Sequence, residues 1–299
     1  MADTYNWATP GSGTFDAESE WTDVTTPGST GVTFPGSSDT ANLIGPGSGT
    51  AQTITGPGTA SVLNVSGLNM LVGSFTTGVT RVDSTTTLSS LELSGSLTAS
   101  ASLVVGDDGG GSMTIDAAST VTAGASSSGE GQVVLGNQGS GSGTLAVTGG
   151  GVLDLAGPGE LANYGLVVGE SGTGSLVVTG AGSTVDDMGQ DGVVAGFSAN
   201  SSGSILVEDG ATADFGTTNS DSLAAIGIAR AGSGTLTVDG AGSQVTADGG
   251  VYIGRGGAGV LVVSNSAVFA ETGAGGYLEI GDGASGNNSH VGGSGSATV

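Results

Sequence analysis

Gly232-Ser233-Gly234-Thr235-Leu236-Thr237-Val238, followed by the turn Asp239-Gly240-Ala241-Gly242, by Gln244-Val245 and by Val251-Tyr252-Ile253-Gly254, is the stretch on which the fold turns. Leu236 and Val238 alternate with threonines, the period of a strand that buries one face. The glycines between the bursts mark corners, because glycine reaches positive φ without steric cost. Three short strands separated by glycine-rich corners make one unit, and the unit recurs along the chain.

The apolar burst closed by glycine appears as Leu103-Val104-Val105-Gly106, Val133-Val134-Leu135-Gly136, Leu166-Val167-Val168-Gly169, Val193-Val194-Ala195-Gly196, Ala224-Ala225-Ile226-Gly227, Val251-Tyr252-Ile253-Gly254 and Leu278-Glu279-Ile280-Gly281. Its closing glycines lie 30, 33, 27, 31, 27 and 27 residues apart. A second burst, introduced by glycine and usually Ser or Thr, follows in each unit, as in Gly143-Thr144-Leu145-Ala146-Val147 and Gly174-Ser175-Leu176-Val177-Val178. A third comes after a turn such as Thr179-Gly180-Ala181-Gly182: Thr120-Val121, Val152-Leu153, Thr184-Val185, Gln244-Val245 and Ala267-Val268-Phe269.

This repeat predicts an all-β chain folded as a parallel β-helix, a triangular β-solenoid in which each strand pairs with its counterpart one coil away. Strands this short do not form stable hairpins alone, but stacking gives every amide a partner above and below. Parallel crossovers carry a right-handed prior, which sets the expected handedness. With coils about 4.8 Å apart, residues 39–299 would form about eight to nine coils, the last incomplete, in a rod on the order of 45 Å long. An antiparallel sandwich also has short strands at regular intervals. Sparse hairpin dipeptides and repetition at the three-strand level count against it.

Composition agrees with this reading. The 299 residues include 62 glycines, 27 acids, no cysteine and no lysine, and the three basic residues are Arg81, Arg230 and Arg255. The resulting net charge of -24 repels nucleic acid and anionic lipid. The acidity suits solubility first, and divalent cations or basic partners second. Apolar residues still make up 36% and come in short bursts, which excludes a disordered low-complexity chain. No stretch is long enough to span a bilayer as a helix, so no membrane insertion is expected. Met1-Ala2-Asp3-Thr4-Tyr5 has neither the basic nor the apolar region of a signal peptide.

The two ends differ from the middle. Tyr5, Trp7, Phe15, Trp21 and Phe34 lie in the first 34 residues, with Pro10, Pro27 and Pro35. Residues 1–38 are therefore read as an atypical segment that covers the open edge of the first coil, with a binding module of exposed tryptophans as the alternative. At the other end Gly295-Ser296-Ala297-Thr298-Val299 matches a second burst with no third after it. Either the chain is part of a longer protein, or a further subunit stacks there. Ala297 and Val299 join Trp7, Phe15, Trp21 and Phe34 as candidate capping or assembly residues, and head-to-tail self-association is the expected partnership, with other surface components as the alternative.

Catalytic machinery is scarce. Without lysine there is no Walker-type loop and no Schiff-base nucleophile. The one histidine, His290, sits in the loop Gly286-Asn287-Asn288-Ser289-His290, where a surface role is the ordinary one, and no second histidine or cysteine can build a zinc site with it. Carboxylate pairs remain: Asp107-Asp108, Asp186-Asp187 and Glu208-Asp209. Adjacent acids point to opposite sides of a strand, so no catalytic residue is expected. No cofactor is expected either. Calcium is the one ion the oxygen-rich corners suit, with Asp107, Asp108, Asp186 and Asp187 as its candidate ligands, although the nonapeptide calcium-binding repeat is not matched.

The pattern Gly-Ser-Gly-Thr-Leu-Thr-Val at 232–238, the turn Thr-Gly-Ala-Gly-Ser-Thr-Val at 179–185 and Val-Tyr-Ile-Gly at 251–254 resemble the repeats of bacterial autotransporter passenger domains and related giant surface proteins. Asn6-Trp7, Gly13-Thr14-Phe15, Trp21 and Pro35-Gly36 before Asp39-Thr40-Ala41 resemble their openings. The resemblance implies a β-helical rod displayed or released at a Gram-negative surface, although no outer-membrane barrel segment accompanies it. Two function classes follow as expectations: an extracellular structural rod, serving as a stalk, adhesin-like passenger, biofilm-matrix fibre or surface-layer subunit; or a carbohydrate-binding or carbohydrate-active module using surface carboxylates. In the second class, carboxylates and aromatics should converge on one face over several coils.

Overall fold

The computed structural model describes residues 2–8, 11–25, 34–86, 89–124, 132–156, 164–187, 192–216, 225–273, 276–281 and 294–299. From Gly110 onward the strands recur in threes, and each pairs in parallel with the strand one coil away. On the second face, Gly110–Ile115, Ser142–Thr148, Thr173–Thr179, Ser202–Glu208, Ser233–Asp239, Ala258–Ser264 and Ser294–Thr298 stack in unbroken register. The first face stacks Gln132–Leu135, Leu166–Val168, Val193–Ala195, Ile226–Ile228, Val251–Ile253 and Leu278–Ile280. The third stacks Thr120–Ala123, Val152–Leu155, Thr184–Asp187, Thr212–Gly216, Gln244–Asp248 and Val268–Glu271. This is a parallel β-solenoid, and the sandwich alternative fails on the pairing. The one antiparallel pair among the described residues joins Thr4–Trp7 to Trp21–Asp23.

Before Gly110 the same three faces continue, with two of the three corners turned inside continuous strands in Leu68–Val82 and Ser90–Val105, while the corner after the first face still interrupts the strand, at Gly67 and between Val82 and Ser90. Ser90–Val105 alone supplies a strand to each face, its segments pairing with Ser112–Ile115, Thr120–Ala123 and Gln132–Leu135. Leu68–Val82 does the same one coil earlier. In all, nine complete coils run from Thr40–Ile44 to Val268–Glu271, followed by Leu278–Ile280 and Ser294–Thr298. In these early coils the corners between the second and third faces carry positive-φ glycines in register, Gly73 and Gly95, and Gly67, at φ 70, closes the first-face segment that ends at Ser66.

Alternation places like residues above one another inside. Met113, Leu145, Leu176, Ile205, Leu236 and Leu261 form one inward column of the second face, each no more than 2% exposed. One contiguous core joins them to Leu103, Val133, Leu166 and Val193 of the first face and to Val121, Leu153 and Val185 of the third. Each coil therefore packs its apolar residues within itself and against its two neighbours, so stability is approximately a sum of single-coil and coil-to-coil contributions.

Two corner features explain why the sequence repeats as it does. The glycine closing the first-face burst adopts positive φ, as at Gly136 (φ 68) and Gly169 (φ 74). Here the repeat read from sequence is corrected: Val194 stands opposite Gly227 and Ala195 opposite Ile228, so the closing position of that coil is Ala229, at φ 58, and not Gly227. Gly227 is instead an outward position, and a side chain there would meet the Tyr164 hydroxyl at 3.4 Å. The third-face strand Thr212–Gly216 is likewise a burst that apolar composition did not reveal, since only Ala213 and Phe215 face inward.

The second corner is sealed by buried serines. Ser183 Oγ donates to the Thr179 carbonyl at 2.8 Å and accepts from the Gly150 amide at 3.0 Å, tying one coil to the one before it. Ser243 repeats the contact with the Gly210 amide, and Ser119 with that of Gly95. Ser183→Ala leaves both partners unpaired in the interior and is expected to lower stability by about 1–3 kcal/mol, read as a lower denaturant midpoint with the circular dichroism spectrum unchanged.

At the amino end, Thr4–Trp7 pairs in parallel with Thr40–Ile44, and Trp21–Asp23 lies against its other edge. Tyr5, Trp7, Phe15 and Trp21 are buried. Trp21 packs edge-to-face on both Trp7 and Phe15 with centroids 4.9 Å apart, and Phe15 continues onto Phe75 of the solenoid at 5.7 Å. Trp21 Nε1 donates to the Phe15 carbonyl at 2.6 Å, and Trp7 Nε1 to that of Gly11 at 3.1 Å. Neither tryptophan offers an exposed binding surface. Phe34 is set apart, partly exposed. At the other end Leu278, Ile280 and Val299 are exposed, and Ala297 pairs with Leu261 on the last described strand.

Candidate functional site

Outward side chains stack in columns as regularly as inward ones. The central outward column of the first face begins with Asn6, Asn42 and Asn64, whose amides donate in series at 2.8 Å, each to the one before. Arg81 follows in register, then Val104, Val134, Val167 and Val194. Four stacked valines on the outside of a sheet would form an apolar stripe, but Tyr164, itself buried, lies over them and Phe197 packs at the margin. Burial raises the Tyr164 hydroxyl above its usual range, and the charges of Arg230 and Arg255 oppose that shift.

Beyond the valines the column continues as Gly227, Tyr252 and Glu279. Phe197, Arg230 and Arg255 lie beside it, each one residue past the positive-φ corner of its coil. The Arg230 guanidinium sits 4.4 Å from the Phe197 ring centroid, and that of Arg255 4.5 Å from Tyr252. Tyr277 meets Tyr252 edge-to-face at 5.2 Å and their hydroxyls share a hydrogen bond. Tyr164 and Phe197 are edge-to-face at 6.3 Å. Residues 164–277 thus supply one patch in which two of the three arginines meet three of the four tyrosines. No family model, curated protein or solved structure matches the chain. The meaning of the patch rests on its own geometry.

Composition gave no sign of this patch, because aromatics and arginines are rare along the repeats and come from different coils. Phe197 and Arg255 follow their closing glycines directly, and Arg230 has the same offset only when Ala229 takes the corner position. The shift by two residues at Gly227 hid the column.

The third face carries acids. Asp154, Asp186 and Asp214 occupy one outward column on successive coils. Burial, and after it the charge of Asp186, push both Asp154 and Asp214 above the usual carboxylate range, and Asp248 adds to the effect on Asp214. Asp187 points inward instead: it is buried between Leu155 and Phe215 in the same column, and its Oδ2 accepts the Gly192 amide at 2.7 Å. Asp186 and Asp187 therefore serve opposite sides of the sheet, as their adjacency implies.

Asp107 and Asp108 lie at the corner after the first face. Asp107 accepts from Asn137 at 2.6 Å and faces Arg81 at 3.7 Å. Asp83 accepts the Asp107 and Gly109 amides at 3.0 Å, and burial followed by the nearby Asp108 raises its affinity for a proton. Glu170 is raised by burial and by Asp107, and its Oε2 is buried without a partner. The four calcium candidates thus lie apart: Asp107 and Asp108 at a corner, Asp186 on the outside of the third face and Asp187 on its inside. Among the described residues no three His, Cys, Asp or Glu side chains are grouped to hold a metal ion. His290 lies outside the described residues.

Stacked like charges destabilise a sheet, so the Asp154–Asp186–Asp214 column has a definite pH signature. A folded-state pKa above the unfolded value means that the native rod holds extra protons between the two. Its contribution is full below the ordinary value near 4 and is lost as pH rises through the raised one. Asp186→Asn, which relieves two neighbours at once, is expected to raise stability at pH 7 by about 0.2–1 kcal/mol per pair. The gain should shrink toward pH 4, as seen by urea unfolding at both values.

Proposed function

We propose that this chain is an extracellular structural rod, similar in role to the passenger stalk of a bacterial surface protein. The observation that carries the reading is the parallel stacking of counterpart strands through nine coils, interrupted by a single shift of register between Thr77 and Val79, which suits a stiff element of defined length. In this reading the aromatic amino-terminal segment caps the first coil, with Trp7, Phe15 and Trp21 as its anchors. The edge exposed around Leu278, Ile280, Ala297 and Val299 takes a further coil in parallel, including one from a second copy. No bound ion or cofactor is required.

The carbohydrate-active alternative required acids and rings together. The stacked carboxylates Asp154, Asp186 and Asp214 lie on the third face, and the tyrosines and arginines on the first, where Glu279 alone follows Tyr252 in the outward column. Negative-stain electron microscopy of the purified protein tests the proposal. Rods on the order of 45 Å long, alone or joined end to end, are expected from coils about 4.8 Å apart. Compact particles that cleave glycans would overturn it.

A further inference from the structure

Among the described residues the arginine–aromatic patch brings together two of the three arginines, with Glu279, next after Tyr252 in the column, as the acid at its edge. The chain holds 27 acids against three arginines, so an arginine without a carboxylate neighbour is unexpected. Arg81 has one, at Asp107. Among the described residues Arg230 and Arg255 have none within ion-pair distance, and each is instead stacked over a ring. Stacking occupies the face of a guanidinium and leaves its in-plane N–H donors free for an oxyanion. The rings also pre-order the two side chains, which lowers the entropy lost when a ligand binds.

We propose that Arg230, Arg255, Tyr252 and Tyr277 form a binding site for a carboxylated sugar polymer lying along the first face. The two arginines belong to successive coils, and the coil repeat of about 4.8 Å is close to the length of one sugar ring. One chain therefore presents anionic groups to both guanidiniums. Tyr277 is 41% exposed and stands edge-on to Tyr252, giving apolar ring surface on which the C–H face of a sugar packs. The ligand class follows from the charge around the patch. Duplex nucleic acid, with one charge per about 1.7 Å, is repelled by the remaining acidic surface more strongly than a sugar chain whose carboxylates are spaced a full ring apart. The acid column of the third face takes no part, whereas Tyr277 directly precedes the exposed strand Leu278–Ile280, so the site lies beside the edge on which a further coil would stack.

The test is titration of the whole chain with oligogalacturonate, followed by tyrosine fluorescence and calorimetry, with a neutral cello-oligosaccharide of equal length as control. Binding of the carboxylated oligomer alone is expected, weakening as sodium chloride rises from about 20 to 300 mM. Arg230→Gln and Arg255→Gln should each weaken it about tenfold, with thermal unfolding unchanged. The salt series on the unaltered protein decides the matter even where a variant folds poorly. Equal binding of the neutral oligomer, no binding of either, or tighter binding of a polyglutamate peptide would each overturn the assignment. Rods seen by microscopy without binding would refute this site and leave the structural role standing.

Discussion

Gly143→Val is expected to break the rod at its middle. Gly143 opens a second-face strand where the backbone of one coil presses on the next, and an added Cβ would collide with the Val105 carbonyl oxygen. That oxygen also accepts the Gly136 amide, so it cannot retreat without giving up a ladder bond. The neighbouring positions Gly111, Gly174 and Gly203 are pressed in the same way, against Val82, Leu135 and Val168. Overpacking of this kind costs about 1–3 kcal/mol in an ordinary core, and more where backbone must separate. A loss of at least 3 kcal/mol, with a fall in Tm of about 10 °C, is expected in calorimetry. Because each coil rests only on its neighbours, unfolding should then proceed in two steps as the halves separate. A single transition at the original temperature would refute this account of the glycines.

Trp21→Ala should free the amino-terminal segment while the coils remain. Trp21 is buried, stacks on Trp7 and Phe15, and is fixed by its bond to the Phe15 carbonyl. Its truncation is expected to cost about 3–5 kcal/mol, nearly all of it local, since the strand it sits on pairs only with Thr4–Trp7. Limited proteolysis should then remove the first residues quickly and leave a resistant solenoid. Exposure of the edge of Thr40–Ile44 should also promote association, measurable by light scattering. If the variant stays as protease-resistant as the parent, the segment does not serve as a cap. Phe34→Ala, at a partly exposed position, is the control.

How far the fold was legible varied along the chain. From residue 103 onward the glycine-closed bursts showed strands, corners and pairing partners, because there each coil breaks its strands with glycine. The coils between Thr40 and Val105 were hidden, since Leu68–Val82 and Ser90–Val105 turn their corners inside continuous strands. The slip at Gly227 had a different cause. An alanine at φ 58 took a position that glycine holds elsewhere, and a glycine two residues earlier stood open to admit Tyr164. The candidate site was less legible than the fold. Asp186 and Asp187 were correctly expected to diverge, whereas the patch formed by Phe197, Arg230, Tyr252 and Tyr277 gave no local signal, its members being spread over coils that only stacking brings together.

The sequence by itself determined that the chain is a three-strand repeat with apolar residues inside and glycine at its corners, because alternation and turn chemistry act over a few residues. Which outward side chains become neighbours was decided by the tertiary structure alone. Parallel stacking brings residues 17 to 36 positions apart into adjoining coils, so a change of one or two residues in corner length moves a side chain to another column. That register put Asp154, Asp186 and Asp214 in one ladder and set Arg230 and Arg255 over aromatic rings on another face.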